Sequence, residues 1–161
     1  MAKSKKTNAM RILDRLKIDY KEEIYRDDNE FVSAVDAAKQ ANHKPREVYK
    51  TIVTYGKSKE VYVFVIRGDR KIDLKKAANS VDEKSITMVN PNDLKDLTGY
   101  IKGGCTAIGM KKNYPVVLDD DAINNDFIYV SGGKRGVEIK IAPNDYIKAT
   151  NAKVCDIKDE N

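Results

Sequence analysis

Val48-Tyr-Lys-Thr-Ile-Val-Thr-Tyr-Gly-Lys-Ser-Lys-Glu-Val-Tyr-Val-Phe-Val-Ile66 holds two runs rich in β-branched and aromatic residues, Val48 to Tyr55 and Val61 to Ile66, parted by Gly56-Lys-Ser-Lys59. Side chains of that kind suit a pleated surface, and a short Gly-containing break between two such runs is a hairpin signal. Upstream, Pro45 begins a short turn. Ser33-Ala-Val-Asp36 reads as a helix start before Ala37, Ala38 and Ala41, ending near Asn42. Tyr20 to Tyr25 reads as a strand, and Met10, Ile12, Leu13 and Leu16 at helical spacing give a first helix to about Lys17.

Downstream, Leu74 to Asn79 reads as a short helix and Ser85 to Val89 as a short strand. Asn90-Pro91 then sets a cap and a first helical position, with Gly99 placed to stop that helix. Val116 to Leu118, Phe127 to Val130 and Val137 to Ile141 are strands, Ala142-Pro-Asn-Asp145 opens a last helix, and Ala152 to Ile157 is a final strand. Hairpins mixed with helices, and no regular βαβ repeat, predict an α+β single domain: one mixed, largely antiparallel sheet flanked by helices. The expected bounds are a disordered basic tail over 1–8, the domain over 9–157 and an acidic tail over 158–161.

A chain of 161 residues fits one domain. With 41% hydrophobic and 34% charged residues its composition is globular, not disordered. No apolar run approaches the roughly 18 residues that cross a bilayer. The Lys-rich start, Met1-Ala-Lys-Ser-Lys-Lys6, has no apolar stretch behind it, so neither a membrane nor a leader peptide is expected. The formal charge of +5 fits a polyanionic partner and equally a solvated lysine surface.

Two cysteines and one histidine exclude more. Cys105 and Cys155 form no CxxC pair, which argues against zinc and against a disulfide framework and suits a reducing cytoplasm. A lone His43 makes a Ser-His-Asp or Cys-His catalytic set improbable. In Asn-His-Lys-Pro it reads as an exposed loop imidazole. No cofactor and no metal are expected, and Asp119-Asp-Asp121 reads as a solvated helix cap before it reads as a cation site.

Three segments could carry chemistry, each with two readings. Thr98-Gly-Tyr-Ile-Lys-Gly-Gly104 is an oxyanion- or acyl-binding loop, or a helix stop and a plain turn. Ser131-Gly-Gly-Lys-Arg-Gly136 is a phosphate-holding or pocket loop, or a hairpin tip. Lys50, within the apolar Tyr49-Lys-Thr-Ile-Val53, either meets a partner inside or lies on the solvent face of an edge strand. Cys105, just after the glycines, reads as a buried, inert thiol.

Taken in order, Tyr49-Lys-Thr-Ile, Leu74-Lys-Lys-Ala-Ala, Thr98 to Gly104, Gly109-Met-Lys-Lys, Ile128-Tyr-Val-Ser-Gly-Gly-Lys-Arg-Gly136 and Ile141-Ala-Pro-Asn-Asp145 resemble the YbaK/EbsC family. These are free-standing aminoacyl-tRNA deacylases related to the editing domain of bacterial prolyl-tRNA synthetase. The resemblance implies a cytoplasmic editing enzyme that releases cysteine from Cys-tRNA(Pro), and from Cys-tRNA(Cys) as a further substrate. It also implies an acylated tRNA 3′ end as partner, prolyl-tRNA synthetase as a second one, and no DNA. An Ala-tRNA(Pro) deacylase and a non-catalytic RNA-binding module are the alternatives.

It further implies roles. Lys50 would hold the phosphate or ribose of the terminal adenosine, with Thr51 beside it. Gly103 and Gly104 would supply backbone donors to the ester carbonyl. Tyr25 and Phe31 would lie near the terminal nucleoside, and Ser131 and Asp145 would be polar walls of the acyl pocket. Ala107 stands where relatives often carry Pro. The implied reaction is assisted by the substrate's own thiol, which fits a chain without a conventional nucleophile and base.

Overall fold

The structure, a computed structural model that describes residues 6–26 and 32–160, runs α1 (Asn8–Arg15), β1 (Lys21–Ile24), α2 (Ala34–Ala41), β2 (Tyr49–Gly56), β3 (Val61–Arg67), α3 (Leu74–Ser80), β4 (Ile86–Met88), α4 (Pro91–Thr98), β5 (Val116–Asp119), β6 (Ile128–Ser131), β7 (Val137–Ile141), α5 (Pro143–Thr150) and β8 (Lys153–Cys155). Caps fall where the sequence places them. The Ser33 hydroxyl accepts the Asp36 N–H at 3.1 Å, Asn90 accepts that of Asn92 at 2.9 Å, and Gly99 ends α4.

The hairpin β2–β3 is the centre of a five-stranded sheet ordered β4-β2-β3-β5-β8, antiparallel at β4, β2 and β3 and parallel at β5 and β8. A second sheet, β1-β7-β6, is antiparallel throughout. The single mixed sheet expected from sequence is thus two. Period-two patterning marks a strand and its buried face, but does not say which strand it pairs with. An isolated parallel bridge between Val48 and Tyr129 touches the two together.

Burial on both faces explains why β3 is a continuous apolar run. Val63 and Val65 join Val53, Val116 and Leu118 on the face toward β1-β7-β6, against Ile128, Val130, Ile139, Ile141 and the α1 residues Met10 and Leu13. Phe64 and Ile66 point the other way, onto Ala77 and Ala78 of α3, with Ile86, Val117 and Ile157.

Both ends of the described chain are tied in. The Thr7 hydroxyl accepts the Met10 N–H at 3.2 Å and donates to the Gly132 carbonyl at 2.5 Å, so the fold reaches into the stretch read as tail. Lys158 bridges Ile72, beyond the boundary read at residue 157. Its ammonium lies 3.3 Å from Asp119, 2.7 Å from Asp120 and 3.2 Å from Asp156. Asp119 does cap the short 3-10 turn that follows, but it is fully buried and also accepts the Ile157 N–H at 2.9 Å, so it is not the solvated cap expected. A lysine ammonium occupies the centre of this acidic cluster, where a cation would otherwise sit.

Candidate active site at the junction of the sheets

A cavity of about 320 Å³ opens where the start of β2 meets the second sheet. Lys50 and Thr51 come from β2, Ser33 and Ala34 from the start of α2, Lys102 and Gly103 from the loop after α4, and Tyr25, Ser131 and Glu138 from the β1-β7-β6 sheet and its flank. Residues far apart in the chain, Lys50 and Ser131 among them, meet here because Val48, just before β2, bridges Tyr129 of β6.

Lys50 is half-buried, and its ammonium donates to the Gly68 carbonyl at 3.3 Å. Burial holds its pKa below the ordinary lysine value, while the Asp69 charge acts in the opposite sense. One long carbonyl contact leaves donors of this ammonium to face the cavity. Lys50 pairs with Ile66 of β3 while β4 reaches only Thr54–Gly56, and its open side is not bulk solvent but the cavity, which it lines half-buried.

Both glycine loops take part, and they lock each other. Gly103 adopts φ +87°, the left-handed region that favours glycine, and lines the cavity. Gly104 does not line it. Its N–H donates to the Ile101 carbonyl at 3.0 Å, and a Cβ there would stand 2.8 Å from the Lys134 Cα. Of the two amides expected to serve the ester, Gly104 closes the turn and seats the 131–136 loop, leaving Gly103 at the cavity. The Arg135 guanidinium ties the same loops by donating to the Lys102 carbonyl at 2.7 Å. The helix-stop reading of this segment also holds, at Gly99 with φ +87°.

Ser131 accepts the Gly133 N–H at 3.2 Å and keeps its own O–H to donate. Burial raises the pKa of Tyr25, and the Glu138 charge raises it further. Cys105 also lines the cavity, with its thiol pushed up to about 12 by burial, so it stays protonated and inert. Among the described residues of the lining, no serine or threonine hydroxyl and no thiol is paired with a histidine or carboxylate base; the Tyr49 phenol does donate to Asp121 at 2.8 Å, but burial and that carboxylate push its pKa up, so it keeps its proton. Asp145 lies in the first turn of α5 and is not part of this lining, so the expected wall role is not where the structure puts it. Ala107 is buried and lines a different groove, beside Lys112 and Lys148. Phe31 lies outside the described residues.

Glu138 carries no signal in the sequence reading, and the reading of His43 is overturned. Glu138 is buried on the cavity wall, and burial, reinforced by the nearby Glu23 charge, pushes its carboxyl up to about 8. His43 is no exposed loop imidazole. Its side chain is only 8% exposed, stacks on Tyr129 at 3.5 Å, and lies between Glu23 and Glu138. The alternation in Val137-Glu-Ile-Lys-Ile141 does set Glu138 on the face opposite Ile139, but nothing nearby in sequence says that this face is covered.

A cation, hydroxyls and a backbone amide around a small cleft, without an internal nucleophile, define a site that binds and orients a polar, acyl-bearing group. The chain belongs to the aminoacyl-tRNA editing domain family, whose pattern matches residues 28–149. It is 39% identical over 98% of both chains to the Enterococcus faecalis protein named "Putative Cys-tRNA(Pro)/Cys-tRNA(Cys) deacylase EbsC". It is 27% identical to a proline–tRNA ligase of Brachyspira hyodysenteriae, over 65% of this chain and 18% of the ligase. Its fold matches, at TM-score 0.81 and 23% identity over 97% of this chain and 99% of the other, the structure titled "Crystal structure of a putative trans-editing enzyme for prolyl tRNA synthetase".

Proposed function

We propose that this protein is a free-standing aminoacyl-tRNA deacylase that removes cysteine from Cys-tRNA(Pro), and from Cys-tRNA(Cys) as a further substrate. The observation that carries this reading is the meeting of Lys50 and Gly103 on one cavity whose described lining pairs no serine, threonine or cysteine with a base. Such a site suits a substrate that brings its own nucleophile. The cysteinyl thiol sulfur attacks the ester carbonyl, a C–S bond forms as the C–O bond to the ribose breaks, and the thiol proton ends on the ribose oxygen. The products are tRNA and a cyclic thioester.

In this scheme Lys50 anchors the terminal adenosine through its phosphate or ribose, with Thr51 beside it. The Gly103 amide meets the developing oxyanion, Tyr25 borders the nucleoside, and Ser131 steers the acyl group. Orientation and oxyanion stabilisation are among the larger rate terms available to a protein without an internal nucleophile. Editing is needed because a synthetase pocket discriminates weakly against a small near-isostere. The 3′ end, being single-stranded, is reachable by a domain of this size. Choice among tRNAs falls to a partner, prolyl-tRNA synthetase, and the place of action is the cytoplasm.

The test is purified protein with Cys-tRNA(Pro) and Ala-tRNA(Pro), each labelled in the amino acid. Release of cysteine with alanine left in place is the expected result. Release of alanine instead contradicts the thiol mechanism in favour of an Ala-tRNA(Pro) deacylase, and binding without release contradicts an enzymatic role.

A further inference from the structure

Glu138 on β7 pairs in register with Glu23 on β1, so two carboxylates stand directly opposite each other across antiparallel strands. Like charges so placed are destabilising. The other register partner of Glu138 is Ser131 on β6, which puts the carboxylate and the serine side by side at the cavity. His43, delivered by the end of α2, fills the gap between the acids. Its Nε2 lies 2.6 Å from Glu23, and its Nδ1 lies 3.3 Å from Glu138 in a geometry that makes no hydrogen bond. Stacking on Tyr129 fixes the imidazole plane.

Glu138 therefore makes no side-chain hydrogen bond among the described residues: Oε1 is enclosed on the His43 side, and the side chain, 6% exposed, lines the cavity. Buried polar atoms are nearly always satisfied within the fold, and a buried carboxylate without a cation is costly, so the carboxyl keeps its proton until a cation arrives and releases that proton to solvent. An apolar residue at 138 would serve stability better. A cationic donor arriving from the cavity, where the side chain borders it, would supply the missing partner.

We infer that Glu138 is the subsite for the substrate's α-ammonium, with His43 and Glu23 behind it as positioning residues that hold its carboxylate toward the cavity. This rests on the deacylase reading and deepens it. Every aminoacyl ester carries an amino group on the carbon next to the reacting carbonyl. A carboxylate on one wall and a lysine on another then fix that ester at its two ends, the ammonium on Glu138 and the adenosine on Lys50. The arrangement selects for a free amine and against an N-blocked ester such as peptidyl- or formylaminoacyl-tRNA.

The experiment compares Cys-tRNA(Pro) with its N-acetyl derivative, which keeps ester and thiol and removes the charge. The protein should cleave the free-amine substrate at least about tenfold faster in kcat/KM, the scale of one charge-assisted hydrogen bond. Glu138→Gln should lose that preference, its kcat/KM for the free-amine substrate falling to that for the N-acetyl substrate. His43→Gln should lower the preference by raising KM for the free-amine substrate alone, whereas a merely structural role would move both substrates together. Equal rates of the parent on the two substrates overturn the inference even if Glu138→Gln is too unstable to assay, and so does a preference that survives in Glu138→Gln. Failure of the parent to cleave either substrate overturns the deacylase reading instead.

Discussion

Two acidic clusters in this protein follow opposite rules. In the first, Asp119, Asp120 and Asp156 converge on the Lys158 ammonium, and Asp119 also takes the Ile157 amide. In the second, Glu23 and Glu138 flank His43, and Glu138 keeps an oxygen with no hydrogen bond. The first fastens the C-terminal segment onto β5, and the second lines a cavity. A buried polar group that is fully partnered inside the chain belongs to the scaffold, and one left short of a partner at a cavity wall is held in readiness for a ligand.

Breaking the first cluster should give the largest change in stability. Asp119→Ala strands the Ile157 amide and leaves Lys158 only its more exposed partners Asp120 and Asp156, a loss of about 2 kcal/mol, read as a lower denaturant midpoint with activity per folded molecule retained. If the variant unfolds like the parent, the cluster is not a fastening. Gly104→Ala sharpens the comparison from the cavity side. Its Cβ would press on the Lys134 backbone, which cannot swing away as a side chain tip could. We expect a cost of about 1–3 kcal/mol together with reduced deacylation, because the Gly103 turn shifts with it. Unchanged turnover would separate that turn from the chemistry.

A third test is a matter of pH. The Glu138 carboxyl is raised from its ordinary 4.5 to about 8. The folded state therefore holds a proton that the unfolded chain releases, and the stability this lends is complete below about 4.5 and lost as pH rises through about 8. Glu138→Gln removes the titration. Its melting temperature relative to the parent should climb between those two values and level off above the upper one. A difference that stays constant with pH would place the Glu138 charge outside the balance.

Much of the scaffold is legible in sequence because it is written locally. Ser33 before Ala34, Asn90 before Pro91 and Gly99 after Thr98 each decide a helix end through their own backbone chemistry. Lys50 and Gly103 could be picked out because a lysine in a β run and a double glycine after a helix are unusual in themselves. What escaped was relational. The division into two sheets depends on which strands pair, and the burial of His43 depends on Tyr129, far along the chain. Glu138 looks like an outward residue until α2 and β2 are seen to cover it. Asp145 was placed at the site by its motif alone, but the first turn of α5 sets it away from the cavity lining.

The central claim is that Lys50 binds the RNA end and does not hold up the fold. Its ammonium makes one long contact to Gly68 and is half-buried at some cost, so its removal should leave the fold intact. The direct measurement is the rate of cysteine release from Cys-tRNA(Pro) by Lys50→Ala, read beside its thermal unfolding. The account predicts a fall of about 100-fold or more in kcat/KM, the scale for losing one preorganised donor, with an unfolding curve that overlays the parent's. Full activity in a folded Lys50→Ala protein would contradict it.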